Sequence, residues 1–204
     1  MIQANDLSPE ALFQKGISLS KIGQYEAAIA AFNQAIMLKP DFAEAWNDRG
    51  MALGDLREYD EAVASYDKAL AINPNLHQAW YNRGVALGNL NKYDEAIAAW
   101  DRALAIEPTL AAAWYNRGCA MANLEYFNEA IAAFEKATEI DPGYAAAWFS
   151  KACIYAVQDN TDLALHNFKQ AMQLDSNRYR SLAKNHPGFE GIRQDARFQE
   201  LLKK

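Results

Sequence analysis

AWYNRGVALGNLNKYDEAIAAWDRALAIEP, residues 79–108, carries two helices and the signal that stops the second. In its first half Trp80, Gly84, Leu87 and Leu90 recur at three- and four-residue intervals, which places them on one helical face. After Asn91 and Lys92 a second stripe begins at Tyr93 and continues through Ala96, Ile97, Trp100, Ala103, Leu104 and Ile106 until Pro108 ends it. The small residues Gly84 and Ala96 are expected to let the two backbones approach, with Trp80 and Trp100 filling the space beside them. One such hairpin cannot bury both stripes, so it needs a neighbour on each side.

The neighbours are present. Trp46, Trp80, Trp114 and Trp148 are spaced 34 residues apart, and the same interval relates Pro40, Pro74, Pro108 and Pro142 and also Gly16, Gly50, Gly84 and Gly118. The aromatic set Phe32, Tyr66, Trp100, Phe134 and Phe168 and the alanines at 28, 62, 96, 130 and 164 follow it too. The period predicts five two-helix units at 9–42, 43–76, 77–110, 111–144 and 145–178.

This pattern resembles the tetratricopeptide repeat family, whose signature runs Trp, two residues, Leu, Gly, two residues, Tyr, then Ala, Phe, Ala and Pro. The resemblance covers 9–178, with Lys15, Arg49, Arg83, Arg117 and Lys151 standing where the family has Leu before the Gly. It implies an all-α fold: a right-handed superhelical solenoid of five helix-turn-helix repeats. The fifth unit is the least regular, with Ala152 for Gly, Thr161 for the aromatic and Ser176 for Pro. The WYNRG runs also resemble repeat proteins of cyanobacteria and their relatives, some of which assist assembly of photosynthetic complexes.

Residues 1–8 read as a leader, with Ser8 capping the first helix ahead of Pro9. Past Arg178 the register is lost. Residues 179–184 read as a shortened helix broken at His186, Pro187 and Gly188, after which Phe189, Ile192, Phe198, Leu201 and Leu202 form a new apolar set behind the helix cap Asp195. The segment 179–204 is therefore expected to be a helical cap over the last repeat.

The resemblance further implies that the first helices line a concave groove. Its fifth places are Phe13, Asn47, Tyr81, Tyr115 and Phe149, and its sixth places include Asp48, Asn82 and Asn116. Asn82 and Asn116, with Asn89 and Asn123 further along the same helices, are expected to clamp a peptide backbone, because an amide side chain donates and accepts at once. It looks like the asparagine ladder of the tetratricopeptide protein glycosyltransferases. Tyr81, Tyr115 and Phe149 add apolar contact area. Glu44, Asp48 and Asp55 make the N-terminal part acidic, and no three consecutive repeats supply the cations with which co-chaperones of this family grip acidic tails. The column Arg49, Arg83 and Arg117 is expected to be structural, paired with Glu61, Glu95 and Glu129 at the starts of the second helices.

Other functions find little support in the residues. Lys and Arg number 20 against 26 Asp and Glu, a formal charge of -6 that argues against nucleic acid and favours a basic or neutral partner. Cys119 and Cys153 hold equivalent places in adjacent repeats, roughly 10 Å apart and beyond disulfide reach, so free thiols and a reducing, cytoplasmic setting are expected. His77, His166 and His186 share no metal-ligand spacing and read as solitary surface residues. No membrane insertion, metal, cofactor or catalytic motif is expected, and the chain reads as non-enzymatic. Two readings remain: a scaffold holding a protein or peptide in the groove, or a module whose self-association through the solenoid ends, as a homodimer, is its main activity.

Overall fold

A computed structural model describes residues 8–203, so the expected leader, apart from Ser8, lies outside the described residues. Every described element is helical. The first helices of successive hairpins are α1 (Pro9–Lys21), α3 (Ala43–Asp55), α5 (His77–Asn89), α7 (Ala111–Asn123) and α9 (Ala145–Val157). Their partners are α2 (Tyr25–Leu38), α4 (Tyr59–Ile72), α6 (Tyr93–Ile106), α8 (Phe127–Ile140) and α10 (Thr161–Leu174). α11 (Ser176–Asn185), a 3-10 helix at Pro187–Ile192 and α12 (Ala196–Lys203) follow. No helix among the described residues is long and apolar enough to cross a membrane.

The chain divides into two compact units, one ending at Pro108 and one beginning at Thr109. In the first, α1 to α6 pack as three hairpins. Phe32 is fully buried between hairpins, and Tyr66 and Trp100 are nearly so. In the second, Phe134 and Phe168 hold the equivalent places.

The repeating glycine makes room for this aromatic ring rather than for the facing backbone. A β-carbon at Gly16, Gly50 or Gly84 would lie within 2.4–2.6 Å of Phe32, Tyr66 or Trp100 respectively, and one at Gly118 would lie 2.7 Å from Phe134. The expected close approach of Gly84 to Ala96 is thus a Gly–aromatic fit, and burying each such ring stabilises its hairpin by about 1.5–3 kcal/mol.

The turns are equally regular. Each first helix ends in a left-handed residue: Gly23 (φ 75°), Arg57 (63°), Asn91 (58°), Glu125 (62°) and Asp159 (57°). The N–H of that residue and of the one after it bond back to the closing turn, as Asn91 to Gly88 and Lys92 to Leu87, which is the Schellman arrangement. The Trp–Pro period also has a physical cause. Trp46, Trp80 and Trp148 donate Nε1–H to the carbonyls of Pro40, Pro74 and Pro142 at 3.1, 2.9 and 3.0 Å, tying each first helix to the turn before it.

The segment after α10 builds onto the second unit. Asp175 caps α11, and Asp195 caps α12 through the N–H groups of Arg197 and Phe198. Phe189, Ile192 and Phe198 enter a core with Phe149, Phe168 and Tyr179.

Candidate functional site

In the first unit, α3 and α5 bound a cleft of about 300 Å³ whose walls include Met51, Asp55, Tyr66, Asn82, Val85 and Asn89. The helical repeat places Asp48, Met51 and Asp55 on one side of α3, and Asn82, Val85 and Asn89 on one side of α5. Met51 is 47% exposed, so the cleft opens to solvent beside a large flexible apolar side chain.

The asparagines divide by role. Asn47 is buried; its Nδ2 donates to Asp48 Oδ1 at 3.0 Å and its Oδ1 accepts from Asn82 Nδ2 at 3.3 Å. It therefore braces Asp48 and Asn82 rather than offering itself to a ligand. Asn89 and Asn123 each donate to a carbonyl one turn back, Val85 at 2.9 Å and Cys119 at 2.8 Å, which commits part of each amide to its own helix. Asp48 is half-buried, and burial, reinforced by the charge of Glu44, raises its carboxyl above the usual range against the bond from Asn47. Tyr81 lies half-buried on α5.

In the second unit the corresponding face carries packed aromatic rings. The Tyr115 ring packs against Phe134 and Tyr144 at centroid distances of 5.6 and 5.0 Å, and Asn116 is half-buried beside it in sequence. Burial, with the neighbouring Cys119, raises the pKa of the Tyr115 hydroxyl.

Phe149 is not a groove residue. It is only 7% exposed, with Tyr179, His186, Phe189 and Phe168 around it at 5.1, 5.4, 5.5 and 6.3 Å. The loss of register after 178 hid the cause: the 3-10 segment folds onto α9, where a β-carbon on Gly188 would come within 2.9 Å of the Cys153 Cβ. The same fold corrects the reading of His186, which is no solitary surface residue. Its Nδ1 lies 3.5 Å from Cys153 Sγ and accepts from Gly188 N–H at 3.1 Å. Burial pushes the Cys153 thiol up to about 12, far from a reactive thiolate at neutral pH. Both cysteines are free.

The arginine column is structural in the first unit: the expected charge of Glu61 acts on Arg49, but the direct hydrogen bonds of Arg49 and Arg83 go to other residues. Arg83 Nε bonds Asp67 Oδ1 at 2.7 Å, and Arg49 bonds Asn33 at 2.7 Å and Ser65. Arg49, Arg83 and Arg117 also lie over the rings of Trp46, Trp80 and Trp114, at 5.7, 6.0 and 5.7 Å. Glu61, Glu95 and Glu129 also stand in the first turns of α4, α6 and α8, where no side chain caps the helix and a carboxylate favours the positive end of the dipole. In α9 the place passes to Lys151, buried with Nζ 3.9 Å from the Trp148 ring and 3.3 Å from Thr138 Oγ1. Burial pushes its pKa down, opposed by Glu135 and Glu139.

Family models described as tetratricopeptide repeat match residues 13–77, 77–110, 111–144 and 133–166. The chain belongs to the tetratricopeptide repeat family. No curated protein matches its sequence. Among solved structures, it is similar to YrrB, described as a tetratricopeptide repeat protein with an unusual peptide-binding site, at 26% identity over 86% of this chain and 91% of that one, with a TM-score of 0.74. It is also similar to MamA, at 26% identity over 80% and 95% of the two chains with a TM-score of 0.76. A fragment of MamA from Desulfovibrio magneticus RS-1, 24% identical over 83% and 96% with a TM-score of 0.78, shares the fold. The face of α3 and α5 carries an open cleft with both apolar and hydrogen-bonding walls, and a second cleft, of about 480 Å³, is lined by Asp67, Leu70, Trp80, Arg83, Ala98 and Arg102 of α4, α5 and α6.

Proposed function

We propose that the chain is a non-catalytic scaffold that holds a peptide or protein segment on the face formed by the first helices of its repeats. The observation that carries this reading is the open cleft between α3 and α5, where Met51 and Val85 offer apolar contact and Asn82 and Asn89 offer amide groups. The likeness to YrrB, which has a peptide-binding site, supports it. Tyr81, Asn82 and Asn89 serve the first unit; Tyr115, Asn116 and Asn123 serve the second. A segment held this way suits a role in complex assembly in a reducing, cytoplasmic setting.

The test is selection of binders from a displayed random-peptide library on the full chain, followed by polarisation titration of the best peptide against Asn82→Ala and Val85→Lys. Loss of affinity by tenfold or more, with the helical circular dichroism unchanged, supports the reading. Equal affinity for wild type and both variants removes it.

The second reading, self-association, draws on the first repeat. Ile22 and Met37 are 68% and 75% exposed there, whereas Leu56 and Leu90, the counterparts of Ile22, are half-buried. Sedimentation of wild type and an Ile22→Glu, Met37→Glu variant tests it: a wild-type dimer that the variant dissociates favours it, and a monomer at every concentration excludes it.

A further inference from the structure

The floor of the α3–α5 cleft holds a group that no other part of the protein uses. Tyr66 is only 3% exposed, yet its side chain lines the cleft, and its hydroxyl lies 4.0 Å from the place a β-carbon on Gly54 would occupy. It forms no hydrogen bond among the described residues. The hydroxyl is a polar atom in an otherwise apolar stack, and the equivalent places in three other repeats hold Phe32, Phe134 and Phe168, so the fold does not need it.

Carboxylates stand beside it. Asp55 is a wall of the cleft and Asp48 lies two helical turns back on the same side of α3, and both act electrostatically on the Tyr66 hydroxyl. Among the described residues neither carboxylate is in an ion pair, and the cleft has no Lys or Arg in its walls. Asp55 is also the last residue of α3, where the helix dipole disfavours an anion and where no basic residue offsets it. A charge that breaks a local rule, beside the unpartnered hydroxyl of a buried tyrosine that reaches solvent only at the cleft, marks a place built for something else.

We infer that the cleft receives a lysine or arginine side chain of the bound segment, its cation meeting Asp55 and the Tyr66 hydroxyl, with Asp48 attracting it from further along α3, while its methylene stem lies on Met51 and Val85. The inference rests on the peptide-binding reading above and names its partner class: a segment with a basic residue at the anchoring position. An ammonium or guanidinium group only donates hydrogen bonds, and the site offers only oxygens at its base, with the Tyr66 hydroxyl free to accept from the cation and donate to a carboxylate. The long aliphatic stem matches apolar walls above a polar floor.

The experiment uses an array of random dodecapeptides probed with the full chain, then titration of a bound peptide and its norleucine counterpart against wild type, Asp55→Asn and Tyr66→Phe. The expected result is enrichment of lysine or arginine at one position. Replacing that residue by norleucine weakens wild-type binding by about tenfold or more, as for a close interfacial charge pair. In Asp55→Asn the same replacement has a much smaller effect, and Tyr66→Phe falls between. Peptides that bind and are weakened by Val85→Lys, but carry no basic preference or lose the same affinity to norleucine in wild type and Asp55→Asn, overturn this inference and leave the groove reading standing. Peptides insensitive to Val85→Lys, or no binding at all, overturn both.

Discussion

The backbone of Gly84 sits against the indole of Trp100 so closely that a β-carbon would lie 2.5 Å from Nε1. That nitrogen is buried without a hydrogen-bond partner among the described residues, so the ring is held by shape rather than by a polar contact. Gly84→Ala should therefore destabilise the protein by about 1–3 kcal/mol, the usual cost of overpacking. Chemical denaturation of Gly84→Ala with and without Trp100→Leu checks this: a side chain without the ring should recover a large part of the loss, whereas additive effects would mean the two residues are not coupled.

Glu125 and Arg57 hold left-handed backbone that Gly23 adopts freely and that Asn91 and Asp159 tolerate. Replacing Glu125 by Gly removes roughly 1–2 kcal/mol of strain and adds about 0.5–1 kcal/mol of chain entropy loss. A net gain of up to about 1.5 kcal/mol is expected for Glu125→Gly, and a loss of similar size for Gly23→Ala, both read from denaturation midpoints.

Phe149 belongs to the core of the second unit. Phe149→Ala should cost about 3–5 kcal/mol, the range for a buried ring left as a cavity. Tyr81→Ala, half-buried on α5, should cost distinctly less. Equal losses would contradict the burial of Phe149 beneath the C-terminal segment.

His186 is held neutral by burial and, secondarily, by the charge of Arg193, so its folded pKa lies below the ordinary value near 6.5. The unfolded chain then takes up a proton that the folded chain refuses as pH falls below about 6.5, and stability drops across that window until the folded pKa is reached. Thermal midpoints at pH 7.5 and pH 5.5 should differ more in wild type than in His186→Gln. A variant with the same pH dependence as wild type would remove this residue from the account.

The fold was legible because a 34-residue period ties Trp to Pro and Gly to an aromatic ring, and each pairing is a physical contact: Trp80 to the Pro74 carbonyl, Gly84 to Trp100. The candidate site was legible only in part. Periodicity assigns Asn82 and Asn89 to one side of α5, but not that Asn47 is buried as a brace for Asn82. Phe149 and His186 were misread because the segment that covers them lies outside the repeat register. Two hydrogen-bond partners of the arginines were missed because Asn33 and Asp67 stand on the preceding repeat's second helix, 16 residues back, where a pattern confined to one repeat does not look.

The most direct measurement is amide chemical-shift mapping on the full chain during titration with a library-selected peptide. Saturable shifts are expected at Met51, Asn82, Val85 and Asn89, with little change at Leu70 and Ala98 in the second cleft, lined by α4, α5 and α6. Shifts confined to Leu70, Ala98 and their surroundings, with none in the α3–α5 cleft, would contradict the peptide-binding reading.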